Sequence, residues 1–165
     1  MYQIKSMGTT AAADYTLLRL DTEAFSQNEF IPARYTCDGI NINPPLDIDH
    51  IPEKAKSLAV IVDDPDSPSP GFCHWVIWNI PVTHHIRERE NRGAQGMNDF
   101  GRHQYDGPCP PSGTHRYYYK VYALDASLEI PVSVNKTQLE KAMSDHILGF
   151  GVLVGKFAHE KTASS

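Results

Sequence analysis

Acidic side chains follow a strongly apolar segment of the chain. Asp64 and Asp66 come directly after the run at residues 57–63, within the sequence DDPDSP. Pro65 and Pro68 restrict the backbone of this loop to extended conformations. Because a stiff loop loses little entropy on binding, its carboxylates are suited to hold a ligand or to orient a neighbouring group. The alternative interpretation is that these aspartates are only solvated turn residues.

Two histidines lie at the starts of strand-like segments. His74 opens an otherwise apolar run, HWVIWNI, and strand alternation predicts that it shares a face with Val76 and Trp78. In HRYYYKVYAL the same alternation places His115 and Tyr117 side by side. A histidine on an apolar face is often only a satisfied core residue. Two of them, each preceded by a turn-rich loop, indicate a site.

A proline-rich loop precedes the second histidine, and Gly107 and Pro108 lie within it. Glycine allows a backbone to approach a ligand closely, and backbone N–H groups near Gly107 are candidate donors. Together with two imidazoles and a phenol, these donors suit a phosphate-type anion. A carboxylate that accepts from one ring nitrogen would favour imidazolium, so we expect affinity to fall as pH rises past about 6.5. Which aspartate pairs with which histidine stays open, as does direct donation from a protonated aspartate.

The surrounding pattern is of short apolar runs separated by Pro, Gly, Asp and Asn. Strands are predicted at residues 57–63, 73–80, 115–124 and 150–154, which favours a β-sandwich or barrel over alternating βαβ units. A helix is predicted at residues 136–148, with Asn135 as N-cap, Gln138 completing a capping box and Gly149 as the stop. A weaker helix, or only a loop, is predicted between residues 83 and 93.

Length and composition narrow the class of protein. The 165 residues suit one domain, and a net charge of −5 argues against a nucleic-acid partner. No segment approaches the roughly 20 apolar residues of a transmembrane helix, and the N-terminus lacks the apolar core of a signal peptide. We therefore expect a cytoplasmic protein, although removal of a signal would leave the same sequence. Cys37, Cys73 and Cys109 are expected to be buried small side chains; a Cys37–Cys109 bridge is the alternative.

Longer stretches of the chain resemble a known family. The match runs in order from residue 18 to residue 157 and includes YTCDGININPPL, DDPDSP, HWVIWNIP, YDGPCPPSGTHRYYYKVYAL and LEKAMSDHILGFGVLVGKF. These motifs resemble the phosphatidylethanolamine-binding protein family, in particular its bacterial and archaeal Raf kinase inhibitor-like branch.

The resemblance implies a mainly β fold, an antiparallel β-sandwich with a C-terminal α-helix and few other short helices. Residues 1–165 would form one domain, with residues 1–17 as an N-terminal extension. The resemblance also implies a small anion cavity, whose residues would be Asp64, Asp66, His74, Gly107, Pro108, His115 and Tyr117. Phe72 and Cys73 stand where animal members carry a longer insert. This difference weakens the inference that the chain binds the kinase partners of the animal proteins. A homodimer is permitted by the resemblance alone.

The expected function is therefore non-catalytic binding of a phosphate-type group on a phospholipid headgroup, a phosphorylated metabolite or a phosphorylated side chain. Such a protein would act as a regulator or inhibitor of a kinase or another protein partner. No cofactor or metal is expected. The alternative is a metal-dependent or acid/base hydrolase that uses the Asp/His cluster. HExxH and GxSxG motifs are absent from the sequence, and strand parity turns Cys73 away from His74.

Overall fold

The computed structural model describes residues 15–159, and these residues form two β-sheets. In chain order the elements are β1 (Thr16–Leu17), β2 (Arg19–Asp21), a 3-10 turn (Ala33–Tyr35), β3 (Leu46–Asp49), β4 (Ser57–Asp64), β5 (Phe72–Ile80), β6 (His85–Ile86), β7 (Ala94–Gln95), β8 (His115–Leu124), α1 (Lys136–Met143) and β9 (Ile147–Phe157). The larger sheet has the order β1-β9-β8-β4-β5-β7 and the smaller one β2-β3-β6. The predicted mainly β fold is confirmed.

The strands pair antiparallel except at one edge, where β1 runs parallel to β9. One face of the large sheet packs against the small sheet through a core that includes Leu46, Ile48, Val60, Ile77 and Val121. The other face packs against α1 through a second core that includes Ile61, Trp78, Tyr122, Leu139 and Met143. The central strands are therefore apolar on both faces, which explains their nearly continuous hydrophobic sequences.

The three central strands lie where the sequence predicts them. The last strand is longer than the predicted residues 150–154, because β9 pairs with β8 from Ile147 opposite Leu124 to Phe157 opposite His115. A glycine-rich sequence hides the ends of this strand from periodicity arguments. The ends of β9 are therefore set by its pairing with β8 and not by the strand propensity of its own residues.

The helix begins as predicted but ends early. Asn135 and Gln138 form the reciprocal capping box. The prediction that the helix extends to residue 148 and stops at Gly149 is wrong, because Ile147 and Gly149 belong to β9. Ser144 donates its hydroxyl to the Lys141 carbonyl at 2.9 Å, an alternative partner for the backbone that suits a helix end.

An ion cluster fixes the start of this helix on the sheet. The buried Asp63 carboxylate accepts from Lys120 Nζ at 2.8 Å and from Lys136 Nζ at 3.1 Å. Lys136 also donates to the Gly71 carbonyl at 2.7 Å. The first turn of α1 is thereby attached both to β4 and to the loop that leads into β5.

The weaker helix suggested for residues 83–93 does not form. His85 and Ile86 pair with β3, and Arg89 has a positive φ of 54°, which a helix cannot contain. The N-terminal extension proposed for residues 1–17 lies mostly outside the described residues, and Thr16 and Leu17 form β1. No helix in residues 15–159 is long and apolar enough to cross a membrane.

Cys37 and Cys109 form a disulfide with Cα atoms 5.5 Å apart, whereas Cys73 is buried and free. The expectation of three buried cysteines is therefore wrong for the bridged pair and correct for Cys73. The two bridged segments also meet through their backbones, since the Cys37 N–H donates to the Pro108 carbonyl at 3.1 Å.

Candidate functional site

A β-bulge places His74 in the site. Along β4 and β5, Val62 pairs with Trp75 and Asp63 pairs with Cys73, so that His74 is the extra residue. Its ring packs edge-on against Tyr117, with centroids 5.4 Å apart. The prediction that His74 shares a face with Val76 and Trp78 is wrong, since a bulge redirects the side chain. Cys73 does face away from His74, into the core beneath α1.

Asp106 holds His74 through main-chain contacts. His74 Nδ1 lies 2.6 Å from the Asp106 carbonyl oxygen, and the Asp106 N–H donates to the His74 carbonyl at 3.1 Å. A carbonyl oxygen only accepts, so Nδ1 carries the proton and Nε2 is the nitrogen left for a ligand. Burial lowers the pKa of His74 more than the Asp106 carbonyl and the charge of Asp64 raise it. His74 is therefore neutral near pH 7.

Asp64 holds the second histidine. His115 Nδ1 donates to Asp64 Oδ2 at 2.7 Å, and both side chains are almost fully buried. The other oxygen, Oδ1, accepts from the Asp66 N–H at 2.7 Å. The pairing that the sequence left open is thus Asp64 with His115. Such an arrangement fixes the ring and again leaves Nε2 for a ligand.

Tyr117 packs against both imidazoles. Its ring centroid is 5.4 Å from that of His74 and 6.4 Å from that of His115. Its hydroxyl is buried and has no hydrogen-bond partner among the described residues. Burial, followed by the negative charge of Asp64, raises the pKa of Tyr117. The hydroxyl therefore stays protonated and can donate.

Two phenylalanines border His74. Phe72 and Phe100 have ring centroids 4.9 Å apart and lie 5.5 and 5.4 Å from the His74 ring. Phe100 is 41% exposed, so one side of this aromatic cluster faces solvent. The rings form an apolar border beside the polar groups of the site.

Asp66 points elsewhere. Its carboxylate takes two hydrogen bonds from the Arg116 guanidinium, at 2.8 and 2.9 Å, and a third from the Arg116 N–H at 2.8 Å. Hydrogen bonds from Arg116 lower the pKa of Asp66 to about 2. Asp66 therefore fixes the loop that carries Asp64, while its own carboxylate is occupied by Arg116.

Gly107 and Pro108 are buried against another segment of the chain. A Cβ at Gly107 would lie 2.2 Å from the Tyr35 carbonyl oxygen. The Gly107 N–H donates to Asn41 Oδ1 at 2.8 Å, so this donor is occupied within the protein. The glycine is needed for close packing of the loop, which in turn carries the Asp106 carbonyl to His74.

Sequence reasoning missed Asp106, Phe72 and Phe100. Burial alone would raise the pKa of Asp106, but hydrogen bonds from Arg102, Asn98 and Gln104 lower it overall. These bonds fix the loop whose carbonyl holds His74. The DGP sequence marks a turn at Asp106, but nothing in the sequence indicates that its carbonyl reaches a histidine 32 residues away.

The fold and the site define a β-sandwich protein with a buried cluster of two histidines and a tyrosine at one end of its central strands. The family model of the phosphatidylethanolamine-binding proteins matches residues 21–158. The chain is a member of this family.

Individual relatives agree with this assignment. A UPF0098 protein of Pyrococcus abyssi is 44% identical over 95% of this chain and 94% of its own length. The crystal structure of a phosphatidylethanolamine-binding protein homologue from Chlamydia trachomatis has a TM-score of 0.83 and 38% identity, and covers 88% of this chain and 99% of that one. Escherichia coli YbcL, described as a member of the mammalian family, has a TM-score of 0.80 and 25% identity, with 87% and 99% coverage.

Proposed function

We propose that the protein reversibly binds small ligands carrying a phosphate-type group between His74, His115 and Tyr117. The observation that carries this proposal is the Tyr117 hydroxyl, which is buried without a hydrogen-bond partner among the described residues on a ring that packs against two imidazoles. A buried polar group left unpaired costs about 1–3 kcal/mol, and such groups in folded proteins call for an explanation. A phosphate oxygen would accept from this hydroxyl.

The protonation of the histidines defines which anions fit. Both rings use Nδ1 inside the protein, so a neutral ring presents Nε2 as an acceptor. A fully ionised anion meets an acceptor there, whereas a phosphate group that keeps one proton can donate it. At neutral pH we therefore expect a monoprotonated phosphate to bind more tightly than sulfate. Burial lowers the pKa of His74, so its Nε2 becomes a donor only in more acidic solution than an ordinary imidazole requires, and sulfate affinity would rise there.

The aromatic border favours a ligand with an organic part. Phe72 and Phe100 lie next to His74, and Phe100 is exposed. An alkyl or aryl group attached to the phosphate would bury apolar surface against these rings. A phospholipid headgroup, a phosphorylated metabolite and a phosphorylated side chain of a partner protein all offer this combination. The family's name refers to phosphatidylethanolamine, and the proposal for this chain includes only the esterified phosphate of that lipid.

Binding without catalysis is part of the proposal. Both oxygens of Asp64 are engaged, by His115 and by the Asp66 N–H. Cys73 lies on the opposite face of the sheet, and burial raises the pKa of its thiol to about 12. These features argue against Asp64 as a free base and against Cys73 as a nucleophile.

The test is calorimetric titration with inorganic phosphate, sulfate, phosphoethanolamine and phenyl phosphate at several pH values. We expect His115→Ala to weaken phosphate-ester binding by about 1.5–3 kcal/mol, the range for a charge-assisted hydrogen bond. Phe100→Ala should weaken phenyl phosphate and leave inorganic phosphate unchanged. His146→Ala is the matched control, because His146 also pairs with an aspartate, Asp125, at 2.7 Å on the surface.

A second experiment identifies the source of the phosphate, and two outcomes would contradict the proposal. Sedimentation with phosphatidylethanolamine vesicles, against phosphatidylcholine vesicles, separates a membrane lipid from a free phosphate ester. Equal affinities of wild type, His115→Ala and Tyr117→Phe for every phosphate ligand would overturn the proposal. Turnover of phenyl phosphate or a carboxylic ester that His115→Ala abolishes would favour the hydrolase instead.

A further inference from the structure

A second group of chemically reactive side chains lies outside the anion site. The sulfur atoms of Cys37 and Cys109 and one ring nitrogen of His159 lie within 4.8 Å of one another. They come from three distant parts of the chain, since His159 follows the end of β9. In the structure the two sulfurs are joined as a disulfide.

We infer that, when this disulfide is reduced, Cys37, Cys109 and His159 bind one Zn²⁺ ion. Two thiolates and one imidazole are ligands that zinc prefers, and three protein ligands leave a fourth position for water. The inference concerns a metal site separate from the anion pocket and does not rest on the proposed function.

The spacing of the donor atoms fits this ion. With zinc–sulfur bonds of about 2.3 Å and a tetrahedral angle, the two sulfurs must lie roughly 3.8 Å apart, and the sulfur-to-nitrogen distances are about 3.6 Å. Once the sulfurs separate, all three donors begin within 4.8 Å of one another and need to move by about 1–2 Å, a displacement that side-chain rotations supply.

Asp38 orients the histidine. His159 Nδ1 lies 3.0 and 2.9 Å from the two carboxylate oxygens of Asp38. A histidine that binds zinc commonly donates its other ring N–H to a carboxylate, which fixes the ring and strengthens the ligand. Because Nδ1 is used in this way, Nε2 is the nitrogen assigned to the metal. Cys109 and His159 are exposed, which gives the ion and its water access.

The two cysteine segments stay together without the disulfide. The Cys37 N–H donates to the Pro108 carbonyl, and the Gly107 N–H donates to Asn41 Oδ1. These bonds cross the same junction and do not depend on sulfur. The reduced thiols are therefore held close to each other instead of separating with the loops.

A dithiol reductant transfers two electrons and two protons to the Cys37–Cys109 disulfide, which yields two thiols, while the reductant becomes a disulfide. Zinc binding then displaces the two thiol protons into solvent, giving two thiolate–zinc bonds and one imidazole–zinc bond. Metal affinity must accordingly be higher in the reduced protein and must increase with pH.

The experiment uses the full chain, reduced with a dithiol, freed of the reductant by anaerobic gel filtration and titrated with Zn²⁺ against a chromophoric chelator. We expect one zinc per reduced chain and none per oxidised chain. Cobalt(II) loading should give thiolate-to-metal charge-transfer absorption. We expect at least a tenfold loss of affinity in His159→Ala, and a 10- to 100-fold loss in Asp38→Asn, the range for such orienting partners.

The controls separate a true site from thiol binding alone. Cys37→Ser/Cys109→Ser should not bind zinc, and circular dichroism against reduced wild type checks its fold. His146→Ala, which removes a comparable surface His–Asp pair, should bind zinc like wild type. Wild-type zinc affinity in His159→Ala, or no more zinc in the reduced wild type than in the double variant, would overturn the inference.

Discussion

His115 donates to Asp64 across the neighbouring strands β4 and β8, with 2.7 Å between Nδ1 and Oδ2. Both partners belong to regular strands, and the second carboxylate oxygen is fixed by the Asp66 N–H. The orientation of the imidazole is therefore determined by the sheet itself. A ligand would meet a ring that is already in place, so little ordering cost accompanies binding.

Asp64→Asn is expected to disturb this ring, because an amide has a single accepting oxygen and cannot accept from both His115 Nδ1 and the Asp66 N–H as the carboxylate does. We expect phosphate-ester affinity to fall about tenfold or more, in line with 1.5–3 kcal/mol for a charged hydrogen bond. Asp66→Asn is the matched change two residues away. It weakens only an exposed pair with Arg116 and should alter affinity and stability by less than about 1 kcal/mol. Equal losses of affinity in the two variants, measured by calorimetry, would contradict this assignment.

Tyr117→Phe should separate binding from stability. The substitution removes a buried hydroxyl that has no partner, so the free energy of unfolding should stay the same or rise while phosphate-ester affinity falls. Tyr119→Phe is the control, because the Tyr119 hydroxyl bonds to that of Tyr105 at 2.9 Å. It should cost about 0.5–1.5 kcal/mol of stability and leave affinity unchanged. Urea unfolding and calorimetry measure the two effects, and a loss of stability in Tyr117→Phe would count against an unpaired hydroxyl.

His74 should make the folded state sensitive to mild acid. Its pKa is lowered by burial, so below the unfolded value of about 6.5 the unfolded chain binds more protons than the folded one. The stabilisation is present above pH 6.5 and is lost as the pH falls toward the folded pKa. We expect a loss of up to about 1 kcal/mol between pH 6.5 and 5.5.

His74→Asn tests the origin of this loss, because the amide can donate to the Asp106 carbonyl but does not titrate. The difference in unfolding free energy between wild type and variant should shrink or change sign as the pH falls, in buffers without phosphate or sulfate. Parallel pH profiles for the two proteins would assign the acid sensitivity to other groups.

The disulfide should be a large contributor to stability under oxidising conditions. It joins cysteines 72 residues apart, and the chain-entropy relation gives about 4 kcal/mol for a loop of this length. Cys109→Ser should lose that amount in urea unfolding. Reductant should destabilise the wild type to a similar level and leave Cys109→Ser unchanged. A reductant effect of equal size in both proteins would show that it acts elsewhere.

The sequence predicted the parts of the fold that depend on local pattern. The central strands β4, β5 and β8 were located to within a residue, because their apolar and aromatic runs are bounded by turn residues. The capping box of α1 was also predicted, because it depends only on the local spacing of Asn135 and Gln138. The end of α1 was missed because Ile147 and Leu148 continue the helical spacing, whereas their pairing in β9 depends on a distant strand.

The site was predicted in composition more than in geometry. His115 and Tyr117 lie on one face, as strand alternation requires. His74 reaches the same place only through a bulge, which places one extra residue in β5 that no periodicity reveals. The contacts of Phe100 and of the Asp106 carbonyl with His74 span 26 and 32 residues, and depend on how loops fold back on the sheet.

Asp63 and Asp64 serve opposite sides of the large sheet, the first bound to Lys120 and Lys136 and the second to His115. If β4 shifted by one residue, each carboxylate would exchange sides and lose its cationic or imidazole partner. The two adjacent charges therefore disfavour misaligned pairings of this otherwise mostly apolar strand, since such pairings would bury both carboxylates without compensation. The acidic pair thus helps to specify one strand register among the several that the apolar residues alone would allow.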